Sequence, residues 1–313
     1  MSNAYNVVIV MPKIYIWRVR ELELRTLKYF LEIAREGNVT KAAAHLHITQ
    51  PTLSRQIAQL EEELGEKLYV RENYGIRLTE EGLLLKKRAE EISELEEKIR
   101  LEFSGQNISG TIYIGAGETE GIKHVAKILK QLREKYNDIR FRVISADAED
   151  VTDKLDRGLI DFGVFVGKVN LNKYDVMPLP YHDTWGIITR RDDELATKDF
   201  IVPEDLRGLE LLFSHQAKTQ GEFSEWLGYS VDELNIIGTH NLMYNASVMV
   251  REGLGILVTI DRIANVTGES DLKFIPLKPE LKAGLVLAWK KEAVFSKAAK
   301  KFLELVQDQH YVL

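Results

Sequence analysis

The chain has 313 residues, 45% of them hydrophobic and 29% charged, an ordinary globular composition with apolar material for two or three folded units and no signature of disorder. Cysteine is absent, which excludes disulfides, thiol nucleophiles and thiolate zinc sites and fits a reducing cytoplasm, and no apolar run approaches the roughly 18 residues of a membrane span. With 42 basic and 48 acidic residues the net charge is −6, so the molecule as a whole repels nucleic acid and any DNA contact must rest on a local motif.

Residues 1–21 carry no domain pattern. The opening Met-Ser-Asn-Ala has the look of an expression-vector remnant, Met11 is a second candidate start, and Val7–Met11 is too short for a signal peptide. From Leu24 to Glu36, Leu24, Leu27, Phe30, Leu31 and Ala34 recur at helical spacing, and Gly37-Asn38 stops the helix. Thr40–Leu46 reads as a second helix capped by Asn38 or Thr40. After the turn His47–Thr49 comes a third, Gln50–Leu64, with Pro51 in its first turn, Leu53, Ile57, Leu60 and Leu64 as its buried stripe, and Gly65 as its stop. Lys67–Arg71 and Gly75–Thr79 are spaced as a hairpin across Asn73-Tyr74-Gly75. A long polar helix then runs from Thr79 to about Phe103. Its narrow seam of Leu85, Ala89, Ile92, Leu95, Ile99 and Phe103 wants a partner helix.

After the linker Ser104–Asn107 the pattern becomes β-α-β-α-β over Thr111–Gly115, Glu120–Tyr136, Phe141–Ile144, Val151–Gly158 and Ile160–Val166. A second set covers Gly186–Thr189, Leu211–Phe213, Gly221–Leu227, Ile236–Gly238, Leu242–Glu252 and Gly255–Ile260. The strand pair Leu272–Pro276 and Gly284–Trp289 and the helix Phe295–Val306 close the chain. Two α/β sets joined by crossing strands leave a cleft between them, where ligands sit in open sheets.

The strongest functional signal is helix–turn–helix. Ala43 permits close packing of the second and third helices, and Thr52, Ser54, Arg55, Gln56 and Gln59 face outward on the third. By pattern alone, a three-helix packing unit with solvated polar residues is the alternative. The stretch LRTLKYFLEIAREGNVTKAAAHLHITQPTLSRQIAQLEEELGEKLYVR resembles the N-terminal signature of LysR-type transcriptional regulators, most specifically in TQPTLSRQIAQLE and LGEKLYVR. RLTEEG is similar to the family's junction of wing and linker helix, and GTIYIG, LDRGLIDFGVFVG and REGLGILV to segments of its effector domain, so that the resemblance covers about residues 22–310.

The resemblance implies a winged helix–turn–helix domain over 22–81 and a linker, or dimerisation, helix over 82–104. It also implies a two-lobed α/β effector domain like periplasmic binding proteins over 109–313, with lobe I about 109–180 and 272–313 and lobe II about 181–271. Carried over by position, Gln50, Pro51, Ser54 and Arg55 match residues that meet base edges or phosphates, Thr40 and Thr52 match backbone contacts, and Arg71 and Arg77 flank the wing. Tyr74 stands near the wing tip, where the family often has a basic residue. The implied partners are double-stranded DNA, a small-molecule effector, further copies of the chain (a dimer or tetramer, with Leu85, Ile92, Leu95 and Ile99 at the seam) and RNA polymerase. Neither a cofactor nor a membrane is expected, and the protein should be cytoplasmic. Residues 24–79 hold eight Lys/Arg against seven Asp/Glu, with Glu61, Glu62, Glu63 and Glu66 at the far end of the third helix. Binding should therefore be salt-sensitive and depend on assembly.

Effector contacts are expected at strand ends facing the cleft: Glu118, Thr119, Val166, His215 and Asn241. Glu118 and Glu120 flank a helix start. Facing solvent they simply complement the helix dipole; facing inward they make a small dianion a poor ligand and favour a neutral or amine-bearing one. Gly115-Ala-Gly-Glu-Thr-Glu-Gly121 has the wrong spacing and charge for a dinucleotide loop. The seven histidines, His45, His47, His124, His182, His215 and His240 among them, form no metal pattern, although His182-Asp183 and His215 fall near the cleft. No nucleophile elbow, P-loop or carboxylate pair points to an enzyme.

Overall fold

The computed structural model describes residues 22–72, 74–102, 108–214 and 221–310. The chain divides into two compact units, one ending at Glu96 and the other beginning at Glu97.

In the first unit α1 (Leu24–Glu36), α2 (Val39–His45) and α3 (Gln50–Leu64) precede a hairpin of β1 (Tyr69–Glu72) and β2 (Gly75–Leu78), and α4 (Glu80–Glu102) follows. Local chemistry sets the helix ends. The Asn38 side chain accepts from the Thr40 and Lys41 N–H groups at 2.9 and 3.1 Å, which makes Asn38 rather than Thr40 the cap of α2. Gly37 and Gly65 close α1 and α3 at φ +61° and +77°, left-handed values that suit glycine. The buried face of α1 is Thr26, Leu27, Tyr29, Phe30 and Ile33, rotated from the expected stripe, and Leu24 stays 47% exposed. Tyr29 buries its ring while its hydroxyl accepts from Arg25 Nε at 2.6 Å, so a residue with a polar tip serves as core.

Glu61, one of the acids at the far end of α3, is buried. It accepts from the Leu68 N–H at 2.9 Å and from Lys67 Nζ at 2.6 Å, tying the end of α3 to the entrance of the wing. At the start of α4 the Thr79 hydroxyl donates to the Lys67 carbonyl (2.6 Å) and accepts from the Gly82 N–H (3.0 Å). A Cβ on Gly82 would lie 1.9 Å from the Leu68 carbonyl oxygen, so only glycine lets α4 pass this close to the wing.

In the second unit β3 (Gly110–Ala116), α5 (Ile122–Lys135), β4 (Ile139–Ser145), α6 (Ala148–Asp156) and β5 (Phe162–Val166) form parallel βα units. The 17-residue β6 (Tyr174–Arg190) follows, then β7 (Leu211–Ser214), α7 (Gly221–Leu227), β8 (Ile236–His240), α8 (Met243–Arg251), β9 (Ile256–Ile260), β10 (Leu272–Pro276), β11 (Lys282–Lys290) and α9 (Lys297–His310). The strand order is β4-β3-β5-β11-β6-β9-β7-β8, with β10 also on β6. Residues 174–184 of β6 pair with β11, and 185–190 pair with β9 and β10, so one strand belongs to both lobes.

Each lobe is a sheet with packed cores on both faces. In lobe I, Phe162, Leu285, Leu287 and Phe302 fill one side and Val151, Leu155 and Phe165 the other. In lobe II, Ile187, Phe213, Phe223 and Val258 oppose Ile188, Val250 and Leu257. Assigning all of 272–313 to lobe I needs correction. β10 is antiparallel to residues 186–190 of β6, and Ile275, Leu277 and Ala283 pack in a lobe II core, because the alternation of β10 suits the sheet that β6 has already entered. The return to lobe I comes along β11.

The end of α4 is anchored in the second unit. Lys98 Nζ donates to Asp161 Oδ1 at 2.6 Å, and Asp161 Oδ2 accepts from the Tyr113 N–H at 2.9 Å, with the two side chains 16% and 5% exposed. Losing one member of such a pair strands the other without solvation. Asp161→Ala should lower stability by about 2–4 kcal/mol, and Lys98→Met by less, because the carboxylate keeps the Tyr113 N–H. Urea unfolding of the whole chain measures both; equal and small losses would refute the assignment.

Candidate functional site

Two surfaces carry the functional side chains, one in each unit. In the first, α3 begins at its cap Thr49, whose hydroxyl oxygen accepts from the Thr52 N–H at 3.4 Å and lies 2.8 Å from Thr52 Oγ1. Pro51 occupies the first turn, where its missing N–H leaves nothing unsatisfied. Gln50 Nε2 donates to Ser54 Oγ at 2.7 Å, so two of the expected contact residues orient one another. Arg55 is exposed, with no hydrogen bond or ion pair to another described residue. Thr40 is exposed at the start of α2. Arg71 is exposed on the wing, Arg77 is bound to Glu72 at 2.7 Å, and Tyr74 stands fully exposed at the tip. Arg77 thus neutralises a neighbouring acid, while Arg55 has no acid paired to it among the described residues. Near α2, His45 lies 3.2 and 3.4 Å from Glu32 and Glu36, and Arg35 reaches the same carboxylates, so the guanidinium already serves that acidic pair.

The second surface is a cleft of about 640 Å³, counting its open mouth. The loops after β3, β4 and β5 supply Gly117, Glu118, Asp147 and Val166 from lobe I. Lobe II supplies Trp185, Ser214, His240, Asn241, Met243 and Ile260 from β6, β7, β8, β9 and the start of α8. These are mostly the carboxyl ends of strands, as open α/β topology requires.

Of the five effector residues expected from sequence, Glu118, Val166 and Asn241 line the cleft, and His215 lies outside the described residues. Thr119 is placed differently. It is buried, its hydroxyl donates to Asp183 Oδ2 at 2.6 Å and accepts from the Gly121 N–H at 2.9 Å, and it supports the loop from behind. The sequence offers His182-Asp183 as an effector contact, but neither lines the cleft and Asp183 is buried behind it on Thr119; it singles out none of Trp185, His240, Met243 and Asp147 as lining. The signal available for these was their position at strand and helix ends. Among the described residues neither ring nitrogen of His240 has a hydrogen-bond partner, and burial lowers its pKa, which favours the neutral ring.

The Glu118 carboxylate crosses the cleft. Its Oε2 accepts from the Met243 N–H, in the first turn of α8, at 2.5 Å. Leu242, at the cap position, offers no side-chain acceptor, so a carboxylate from lobe I caps a lobe II helix.

The family model described as LysR substrate binding domain matches residues 105–310, and that of the bacterial regulatory helix-turn-helix protein, lysR family, matches residues 24–83. The chain belongs to the LysR family and is a transcriptional regulator rather than an enzyme. It is 28% identical over 265 residues to the HTH-type transcriptional regulator MJ0300 of Methanocaldococcus jannaschii, covering 79% of this chain and 86% of the relative. It is 32% identical over 145 residues to the regulator IlvY of Escherichia coli, a match spanning 46% of this chain and 49% of IlvY. Its fold is similar to that of CbnR, a LysR family transcriptional regulator, at a TM-score of 0.71, 19% identity and 92% and 99% coverage of the two chains. Among the described residues no helix is long and apolar enough to cross a membrane.

Asp183 gives the cleft's support a pH signature. It is fully buried, with Oδ1 unpartnered among the described residues. Burial pushes its pKa up to about 6, Thr119 holds it back, and Asp261 adds to the rise. Above its unfolded value of about 4 the unfolded chain has released a proton that the folded chain still holds. Stability is therefore lost as pH rises from about 4 to 6, by about 2–3 kcal/mol in full. Asp183→Asn keeps an acceptor for Thr119 and removes this loss. The difference in unfolding free energy between variant and wild type should grow over that pH range and then level off; a difference independent of pH would refute it.

Proposed function

We propose that the chain is a sequence-specific DNA-binding regulator that responds to a small molecule held between the lobes of its effector domain. The observation that carries the DNA reading is the exposed start of α3. There Arg55 has no partner within the described chain, beside a Gln50–Ser54 pair fixed by its own hydrogen bond. Arginine suits guanine in the major groove, glutamine suits adenine, and the hydroxyls of Thr40 and Thr52 suit phosphate oxygens. The crystal structure of full-length CbnR with its target DNA, at a TM-score of 0.70, supports this reading as a fold precedent. The cleft, walled by strand ends of both lobes, carries the effector reading.

The proposed partners are double-stranded DNA, the effector, a second copy of the chain in a dimer or tetramer, and RNA polymerase. Leu85 packs onto the helix–turn–helix core because α4 lies close to the wing there. That leaves Ile92 and Leu95, half-buried, and Ile99, 56% exposed, for the seam with a partner helix. An effector that favours one arrangement of the lobes biases the arrangement of paired DNA-binding units, and so transcription.

Gel shift against the intergenic DNA beside the protein's own gene tests the DNA reading. Arg55→Ala should cost about 1–3 kcal/mol per half-site, doubled in a dimer, with the fold unchanged; unaltered affinity for that DNA would refute the recognition assignment. Ile92→Glu with Ile99→Glu should reduce both the mass seen by light scattering and DNA affinity, since each charge would be buried against the partner. An assembly of wild-type mass would remove these residues from the seam.

A further inference from the structure

The charge of the cleft decides what it can hold. In an open helix N-terminus the free N–H groups and the dipole draw an anion. At α8 that position is taken, because the Glu118 carboxylate already accepts from the Met243 N–H. Asp147 lines the same cavity and caps α6 by accepting from the Asp150 N–H at 2.9 Å. The charged residues among the described lining are these two acids, and the buried His240 ring favours its neutral form. Each carboxylate has a hydrogen bond to backbone through one oxygen, and carboxylates accept in several further directions.

A second observation is independent of the acids. Trp185 lines the cavity at 6% exposure, and its indole N–H has no hydrogen-bond partner among the described residues. A buried donor without an acceptor is costly, and a ligand that brings an acceptor removes that cost. Val166, Met243, Ile260 and Ile263 supply apolar wall, and Ser214, Asn241 and Thr259 add neutral polar groups.

We propose that the cleft takes a small amine-bearing cation, its ammonium paired with Glu118 and Asp147, its apolar body against Trp185 and Ile260, and an acceptor group on the indole N–H. This rests on the reading of the cleft as the effector site and adds the chemical class of the effector. The cation also reports on the lobes. Glu118 belongs to lobe I and its bond partner to lobe II, so a ligand that engages Glu118 acts on the hydrogen bond that joins them across the cleft.

The test uses the full chain, scanning fluorimetry and titration calorimetry, with five probes: 2-phenylethylamine, 2-phenylethanol, phenylacetate, 1,4-diaminobutane and succinate. The amines should raise the melting temperature and bind, and the acids of similar size should bind at least tenfold more weakly. Glu118→Gln retains an acceptor for the Met243 N–H while losing the charge, so it should keep its melting temperature without ligand and weaken amine binding at least tenfold. Asn241→Trp, at an exposed position on the cleft wall, should block every probe. Failure of both amines to bind, or amine binding indifferent to Glu118→Gln, overturns the cation assignment. Acid binding that Asn241→Trp abolishes also overturns it while leaving the cleft as the effector site. Amine binding that survives Asn241→Trp overturns the cleft itself.

Discussion

β6 is hydrogen-bonded in two sheets at once, to β11 through residue 184 and to β9 and β10 from residue 185 onward. A strand shared in this way fixes the lobes edge to edge. The βα units on both sides then direct the ends of β3, β5, β7 and β8 toward a common gap. Asp183 sits at this changeover, fully buried and held by the Thr119 hydroxyl. The lobe I loop that carries Glu118 is thus braced against the strand that joins the lobes. Loop, hinge strand and cleft wall form one connected hydrogen-bonded assembly.

The first unit follows a different logic, in which compactness is obtained from polar groups. Its helices are short, and the joints between them are made by Asn38, Thr49, Glu61 and Thr79, each spending a side-chain oxygen on backbone N–H groups. Capping and loop pinning of this kind contribute roughly 1 kcal/mol apiece, which matters where the core is small. The arrangement has a functional consequence. With the acids Glu61 and Glu72 engaged by Lys67 and Arg77, the exposed positive charge at the start of α3 is that of Arg55. A unit with almost no net charge can still present a local cation to a phosphate-lined groove.

The two surfaces use carboxylates in opposite ways. Near the helix–turn–helix, Glu32, Glu61 and Glu72 are paired with Arg35, Lys67 and Arg77. In the cleft, Glu118 and Asp147 are held by backbone N–H groups, which fixes their position without cancelling their charge. That difference separates a surface made acceptable to a polyanion from a cavity that disfavours one.

Much of this was readable in the residues themselves. The bounds of α1 and α3 follow from Gly37, Gly65 and the spacing of apolar positions, because glycine termini and helical periodicity are local properties. The alternation of short strands and helices after residue 108 likewise announces an open α/β sheet, and TQPTLSRQIAQLE carries the resemblance that points to α3 as the proposed recognition helix. Tertiary structure alone decided which face of α1 is buried, that Glu61 is structural, that Leu85 belongs to the core, and that β10 stays in lobe II. It also decided that Thr119 serves Asp183, 64 residues away, and that Glu118 reaches Met243, 125 residues away. Periodicity and capping are written within one turn of chain. The partner of a side chain that crosses a cleft is set by how two sheets meet along β6, and no local pattern in the sequence carries that information.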